Sequence, residues 1–180
     1  PTYVFGNHDQ MRYMDKIDFD RAKAKLLVLF QFTARGIPVV YYGEEIGMQD
    51  TEIPNWQGKD PIAQQNAYFP KFLANLIKVY MNRDNCRTPM QWDTTANAGF
   101  TSPTAKPWLA VSKNYPQVNV ETELADENSI LNTYREILKL RNDHSAFQEG
   151  SLEIVADYKE YPDLLVFRRY AGGKSLTVFL

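Results

Sequence analysis

The sequence predicts an α/β chain that gives way to antiparallel β structure near residue 148, and three observations predict it. Two short apolar runs, residues 2–6 and 37–42, flank a stretch whose apolar residues recur at three- and four-residue steps, the pattern of strand, helix and strand in succession. After Phe147 the text turns to β-like runs, with Gly172-Gly173 between the last two as a tight-hairpin signal. The 180 residues are 44% hydrophobic and 23% charged, a balance that builds a packed core and not a disordered chain.

In order along the chain, "TYVFG", residues 2–6, reads as a buried strand. In residues 18–35, Ala22, Leu26, Leu29, Phe30 and Thr33 fall at helical spacing, with Asp18 as the N-cap and Gly36 as the C-cap. "IPVVYY", residues 37–42, follows closely enough to be the second strand of a βαβ unit, whose strands run parallel. Residues 43–122 are rich in Gly, Pro, Asn and Asp and carry one convincing helical stretch, "YFPKFLANLIKVYMNR". Its Pro70 must sit in the first turn or before it, because proline has no N–H to give to a helix interior. A segment of that length with little regular structure is usually functional. Helix resumes in "DENSILNTYREILKLRNDH", where Ile130, Tyr134, Ile137, Leu138 and Arg141 share a face and Asp126 is the expected cap. "SLEIVADY", "LLVFRRYA" and "KSLTVFL" then read as strands of a second, antiparallel domain.

Charge and cysteine usage exclude several function classes. The net charge is −2 and no basic block is present, which argues against nucleic acid or an anionic membrane as partner. Cys86 is the single cysteine, so there is neither an internal disulfide framework nor a cysteine-based metal site. No apolar run approaches the ~20 residues of a membrane-spanning helix, and no signal peptide opens the chain. These features give a cytoplasmic location as the expectation. The chain begins at Pro1 inside a strand-like run and stops in "SLTVFL", which reads as mid-strand, so a piece of a longer protein is expected.

The stretch "VFGNHDQMRY" carries the chemistry. A strand-like run ends in Asn7, His8, Asp9 and Gln10, with Arg12 just behind. Either the strand delivers polar side chains to a site, or a polar turn follows it for conformational reasons. His8 and Asp9 alone fit a metal pair, an acid/base pair or a structural pair. A metal is not expected, since the other histidine, His144, lies on the late helix far along the chain. There is no nucleophile-elbow motif, and Cys86 has no paired base. A carboxylate at the C-terminal end of a parallel strand is where an α/β barrel places active-site groups.

"FGNHDQ", then "GIPVVYYGEEIGM" after one helix, then "RDNCRTPMQWD" and "GFTSPTAKPWLAVSKNY", resemble the C-terminal part of the α-amylase superfamily of glycoside hydrolases. The match is strongest to the oligo-1,6-glucosidase and α-glucosidase branch, which also holds sucrose isomerases. The resemblance implies the C-terminal part of a (β/α)8 TIM barrel in residues 1–147, with strands 7 and 8 and a long loop. Residues 148–180 would then begin an antiparallel β-sandwich. Residues 2–6 would be the seventh strand, 18–35 its helix and 37–42 the eighth strand, and a helix over about 128–143 would close the barrel.

The resemblance also implies a retaining mechanism with three carboxyl groups. Asp9 matches the aspartate that hydrogen-bonds sugar hydroxyls as the ring approaches an oxocarbenium ion. His8 matches a histidine that donates to the same sugar, and Arg87 an arginine that holds the glucose and closes the pocket, with a structural salt bridge as its alternative reading. Arg12 is expected to tether its loop. Glu44 and Glu45 are expected to be either supporting acceptors or solvated groups, and Trp92 and Trp108 anchors of the loop core, with stacking on sugar as the alternative. The nucleophile and the acid belong to earlier strands, so the isolated chain is expected to be inert. No cofactor and no metal ligand is assigned within this chain, calcium in the parent being left open; its expected partner is an oligosaccharide substrate, and its open strand edges favour self-association. The alternatives are a non-catalytic partner subunit, or an enzyme of glucosyl transfer or sucrose isomerisation.

Overall fold

The structure, a computed structural model, describes residues 1–77, 79–155, 158 and 160–180. Its elements run β1 Thr2–Val4, α1 Tyr13–Lys16, α2 Arg21–Thr33, β2 Ile37–Val39, α3 Pro61–Gln65, α4 Lys71–Leu76, α5 Val120–Ala125, α6 Ile130–Asp143 and α7 Ser145–Gln148, then β3 Ser151–Ile154, β4 Val166–Ala171 and β5 Lys174–Phe179. β1 and β2 pair in parallel, with Thr2 opposite Ile37 and Val4 opposite Val39. β3, β4 and β5 form an antiparallel sheet in that order. Gly172 and Gly173 both take left-handed backbone angles at the β4–β5 turn, as a two-residue hairpin with matched twist requires.

The core forms between α2 and α6. Ala24, Val28 and Phe32 meet Ile130, Tyr134 and Ile137, with Tyr13 and Met14 of α1 closing one side. Phe32 and Tyr134 pack edge to face at 5.7 Å. Each large apolar side chain buried here stabilises the fold by roughly 1.5–3 kcal/mol.

Several sequence expectations are corrected here. The buried stripe of α2 is Ala24, Val28, Gln31, Phe32 and Thr33, while Leu26 is 45% exposed. The helix is apolar nearly all round, so its period does not choose a face; α6 chooses it. Its cap is Asp20, not Asp18: the Asp20 carboxylate accepts from the N–H groups of Ala22 and Lys23, whereas Asp18 and Phe19 form a left-handed turn out of α1. The C-cap is Ala34, two residues before Gly36. α6 is capped by Ser129, whose hydroxyl accepts from Asn132 N–H, and Asp126 instead closes α5. Leu138 stays exposed, and Arg141 donates from the α6 face to the carbonyls of Phe32 and Gly36, completing the frayed end of α2.

The helical stretch after Tyr68 shrinks to α4, with Pro70 just before it; Lys78 lies outside the described residues, and residues 83–86 form a separate 3₁₀ turn. α3 and α5 were not expected. The predicted strand "SLEIVADY" is β3 over its first four residues, and Ala156 and Asp157 lie outside the described residues. β1 is not buried: Thr2 and Val4 are exposed, because only α2 backs this two-stranded sheet. Gln31 of α2 reaches the strands and donates to the carbonyls of Tyr3 and Val39.

Candidate carbohydrate site

The chain leaving β1 turns sharply at Asn7, whose side-chain oxygen accepts from the N–H of Asp9 at 2.8 Å. This local bond lifts the Asp9 carboxylate outward, where its side chain is 47% exposed. Facing it is the turn Arg83–Cys86, capped by Asn82, whose side-chain oxygen accepts from Asp84 N–H. The turn sets Arg83 and Arg87 four residues apart on one side. Arg83 Nη1 donates to Asp9 Oδ1 at 2.9 Å and Arg87 Nη2 donates to the same oxygen at 3.0 Å. Arg87 Nε also donates to the backbone carbonyl of His8 at 2.7 Å, and His8 Nε2 stands 3.2 Å from Asp9 Oδ2.

The structure therefore brings together His8, Asp9 and Arg87 and adds Arg83. Partial desolvation pushes the Asp9 pKa up, but the Arg83 hydrogen bond and the charges of His8, Arg83 and Arg87 outweigh it and hold the carboxyl below its usual range. An ionised carboxylate with an open side can accept hydrogen bonds from neutral hydroxyl groups and stabilise positive charge developing nearby.

Behind Arg83 lies a group that the sequence reading missed. Asp60 accepts from Arg83 Nη2 at 2.6 Å, from Arg83 Nε at 3.0 Å and from the Arg83 N–H at 3.0 Å. Its side chain is fully buried, and the Arg83 hydrogen bonds draw its pKa down to about 2. Asp60 also caps α3, whose first residue is Pro61. That Asp-Pro start was a readable helix signal; the pairing with Arg83 across 23 residues was not.

The weaker candidates take definite places. Arg12 is buried, donates from Nη1 to the Tyr42 carbonyl at 2.7 Å, and lies over the Tyr42 and Tyr41 rings. Glu44 is buried and not solvated; it accepts from Tyr41 N–H, and burial pushes its pKa up to about 7. Its other oxygen lies against Gly6, where an added Cβ would come within 2.5 Å of it and push the Glu44 carboxylate aside. Burial raises the Glu45 pKa as well.

Trp92 and Trp108 do not anchor the loop core, since Trp108 is 75% exposed and Trp92 about half exposed. Trp108, Phe100, Met90 and Tyr42 instead line a cleft of about 280 Å³ that opens beside Arg87. Cys86 is buried, and burial raises its thiol pKa, the opposite of an activated nucleophile. His144 packs edge-on against Phe147, at the end of α6. Among the described residues no three His, Cys, Asp or Glu side chains are grouped to hold a metal, and no helix is long and apolar enough to cross a membrane.

Comparison with known proteins places this geometry in a family. Over 183 residues the chain is 34% identical to the trehalose-6-phosphate hydrolase of Bacillus subtilis (strain 168), covering 96% of this chain and 32% of that protein. It is 34% identical over 190 residues to the oligo-1,6-glucosidase of Parageobacillus thermoglucosidasius, covering 98% of this chain and 33% of that one. The crystal structure of trehalulose synthase MutB from Pseudomonas mesoacidophila MX-45 superposes with a TM-score of 0.78 at 31% identity, over 99% of this chain and 34% of the other. The chain spans about a third of the length of these relatives. The alpha amylase catalytic domain matches residues 1–150, which hold β1, β2 and the whole Asp9 cluster, and the chain therefore belongs to the α-amylase family of TIM-barrel glycosidases.

Proposed function

We propose that the chain is the C-terminal part of a retaining α-glucosidase acting on short oligosaccharides. Residues 1–147 supply the last strands and long loop of its (β/α)8 barrel, and residues 148–180 begin a β-sandwich. The observation that carries the reading is the convergence of Arg87, Arg83 and His8 on the half-exposed Asp9 at the end of a parallel strand.

In this reading Asp9 accepts hydrogen bonds from sugar hydroxyls. These bonds strengthen as the ring flattens and gains positive charge, so they favour the transition state over the bound substrate. His8 donates to the same sugar. Arg87, already fixed by the His8 carbonyl, grips the glucose and closes the pocket. The nucleophile Asp and the acid Glu come from strands outside this chain, so the chain by itself is inert. In the full-length enzyme Asp9→Asn is expected to lower kcat/KM by about 10²–10³-fold, the scale of other preorganised groups. Near-normal kcat/KM in a folded variant sinks the assignment.

A second reading keeps the site and changes the acceptor. The likeness to a trehalulose synthase supports transfer or isomerisation, in which a sugar hydroxyl and not water intercepts the glucosyl intermediate. The products formed from sucrose separate the two: free glucose for hydrolysis, a new disaccharide for isomerisation. The non-catalytic reading is weaker, because a scaffold has no need of a carboxylate held ionised and half open.

The exposed Val4, Ile37, Val39 and Val40 beside unpaired strand edges support self-association of the isolated chain. Sedimentation showing a monomer at high concentration would refute that. The location is proposed to be cytoplasmic, which fractionation of cells would test.

A further inference from the structure

We infer that Asp60 is a positioning residue: by holding Arg83 from behind, it aims a guanidinium at Asp9 and keeps that guanidinium neutralised when Asp9 turns to substrate. The inference rests on the reading of Asp9 as a sugar-binding group. Its basis is one cation shared by two carboxylates of opposite character. Arg83 gives Nε and Nη2 to the fully buried Asp60 and Nη1 to the half-exposed Asp9.

An ion pair as open as Arg83–Asp9 is weak by itself, because solvent screens it and a free arginine must give up rotamer freedom to form it. The fork on Asp60 removes that freedom in advance. Asp60 is itself fixed by its own N–H, donated to Asp84 Oδ2 at 2.9 Å, and by its capping bond to Ile62 N–H in α3. Arg87 is held differently, by a backbone carbonyl that carries no charge.

The arrangement has a consequence for binding. A sugar hydroxyl that draws on Asp9 competes with arginines already bonded to Oδ1. If Asp9 were the only partner of Arg83, moving to a neutral sugar would leave a cation unpaired in a half-buried place, which is costly. With Asp60 behind it, Arg83 remains neutralised, and Asp9 exchanges one hydrogen bond for another.

The test reads Asp9 itself. Selective ¹³C labelling of aspartate carboxyls in the full-length protein gives the Asp9 titration, the resonance being assigned by its loss in Asp9→Asn. The charged groups facing Asp9 are His8, Arg83 and Arg87, and only the contribution of Arg83 is varied. Arg83→Gln is expected to raise the Asp9 midpoint by about half a pH unit, the scale of an exposed ion pair. Asp60→Asn keeps the α3 cap and is expected to raise it by less than Arg83→Gln does, because loss of the Asp60 charge by itself lowers the midpoint, and the double variant should rise no higher than Arg83→Gln alone. Asp60→Glu, which retains the charge, should return the midpoint toward the parent value, and thermal melting of each variant verifies the fold. A midpoint unmoved by Asp60→Asn while Arg83→Gln shifts it overturns the inference, as does a midpoint unmoved by both. The glucosidase reading fails separately, if Asp9→Asn leaves kcat/KM near normal.

Discussion

The α2–α6 core and the long segment between β2 and α5 are held together by different physics. In the core, backbone groups bond within their own helices and the side chains are free to be apolar; Val28, Phe32, Ile130 and Ile137 bury without a polar partner between them. The long segment has only short helices and one-turn pieces, so its backbone turns to side chains. Asn82 donates to the Ile53 carbonyl, Asn85 accepts from Ile53 N–H, Asp84 accepts from Asp60 N–H, and Asn119 donates to Tyr115. A core held by area yields gradually when it is trimmed. A loop held by buried polar joints fails one joint at a time, since an orphaned buried group costs its full desolvation. The site stands on the second kind of foundation, which fixes a turn such as 83–86 more sharply than apolar packing alone.

The contrast predicts effects of graded size. Phe32→Ala strikes the apolar side and should cost about 3–5 kcal/mol in urea denaturation, through lost burial and the cavity beside Tyr134. A cost below about 1 kcal/mol would mean that α2 and α6 are not the main support.

Glu44 sharpens the polar side through pH. Its pKa rises from 4.5 to about 7 on folding, so folding binds the proton more tightly. Stability from this group is complete below pH 4.5 and is lost as pH rises through 7. Glu44→Gln should therefore gain on the parent between pH 5 and pH 8, by on the order of 2–3 kcal/mol. Parallel stability curves for the two proteins across that range would contradict the buried placement.

Asn82→Ala removes the cap of the arginine turn and orphans the Ile53 carbonyl, and should cost about 1–2 kcal/mol. The comparison makes a sharper demand on this variant. kcat/KM of the full-length protein should fall with it, whereas Leu26→Gln, on a face of α2 that this chain leaves exposed, should leave the stability of the chain within error.

What was legible in the sequence follows the same division. The two parallel strands, the late helix and the Gly172-Gly173 hairpin were readable because local pattern and turn chemistry determine them. The buried face of α2 was not, because Leu26, Leu27, Val28, Leu29 and Phe30 present apolar side chains in every direction. The capping residue was misplaced for a similar reason: Asp18 and Asp20 are equivalent in text, and only the left-handed turn at Asp18-Phe19 separates them. His8, Asp9 and Arg87 stood out by motif. Arg83 and Asp60 act through contacts 23 and 74 residues apart along the chain, which no local pattern reports.

One side chain ties the antiparallel sheet to the helices. Arg169, in β4, is fully buried and donates to the carbonyls of Thr33, Phe147, Gly150 and Ser151. It works as a key that turns in only one lock. A slip of β4 by a single residue would swing Arg169 to the solvent face and offer those carbonyls an exposed neighbour's side chain in its stead. The turn fixes how β4 pairs with β5, and Arg169 fixes where that pair meets the end of α2. The seating of the sheet on the helices thus depends on a contact outside the sheet, at the Thr33 carbonyl.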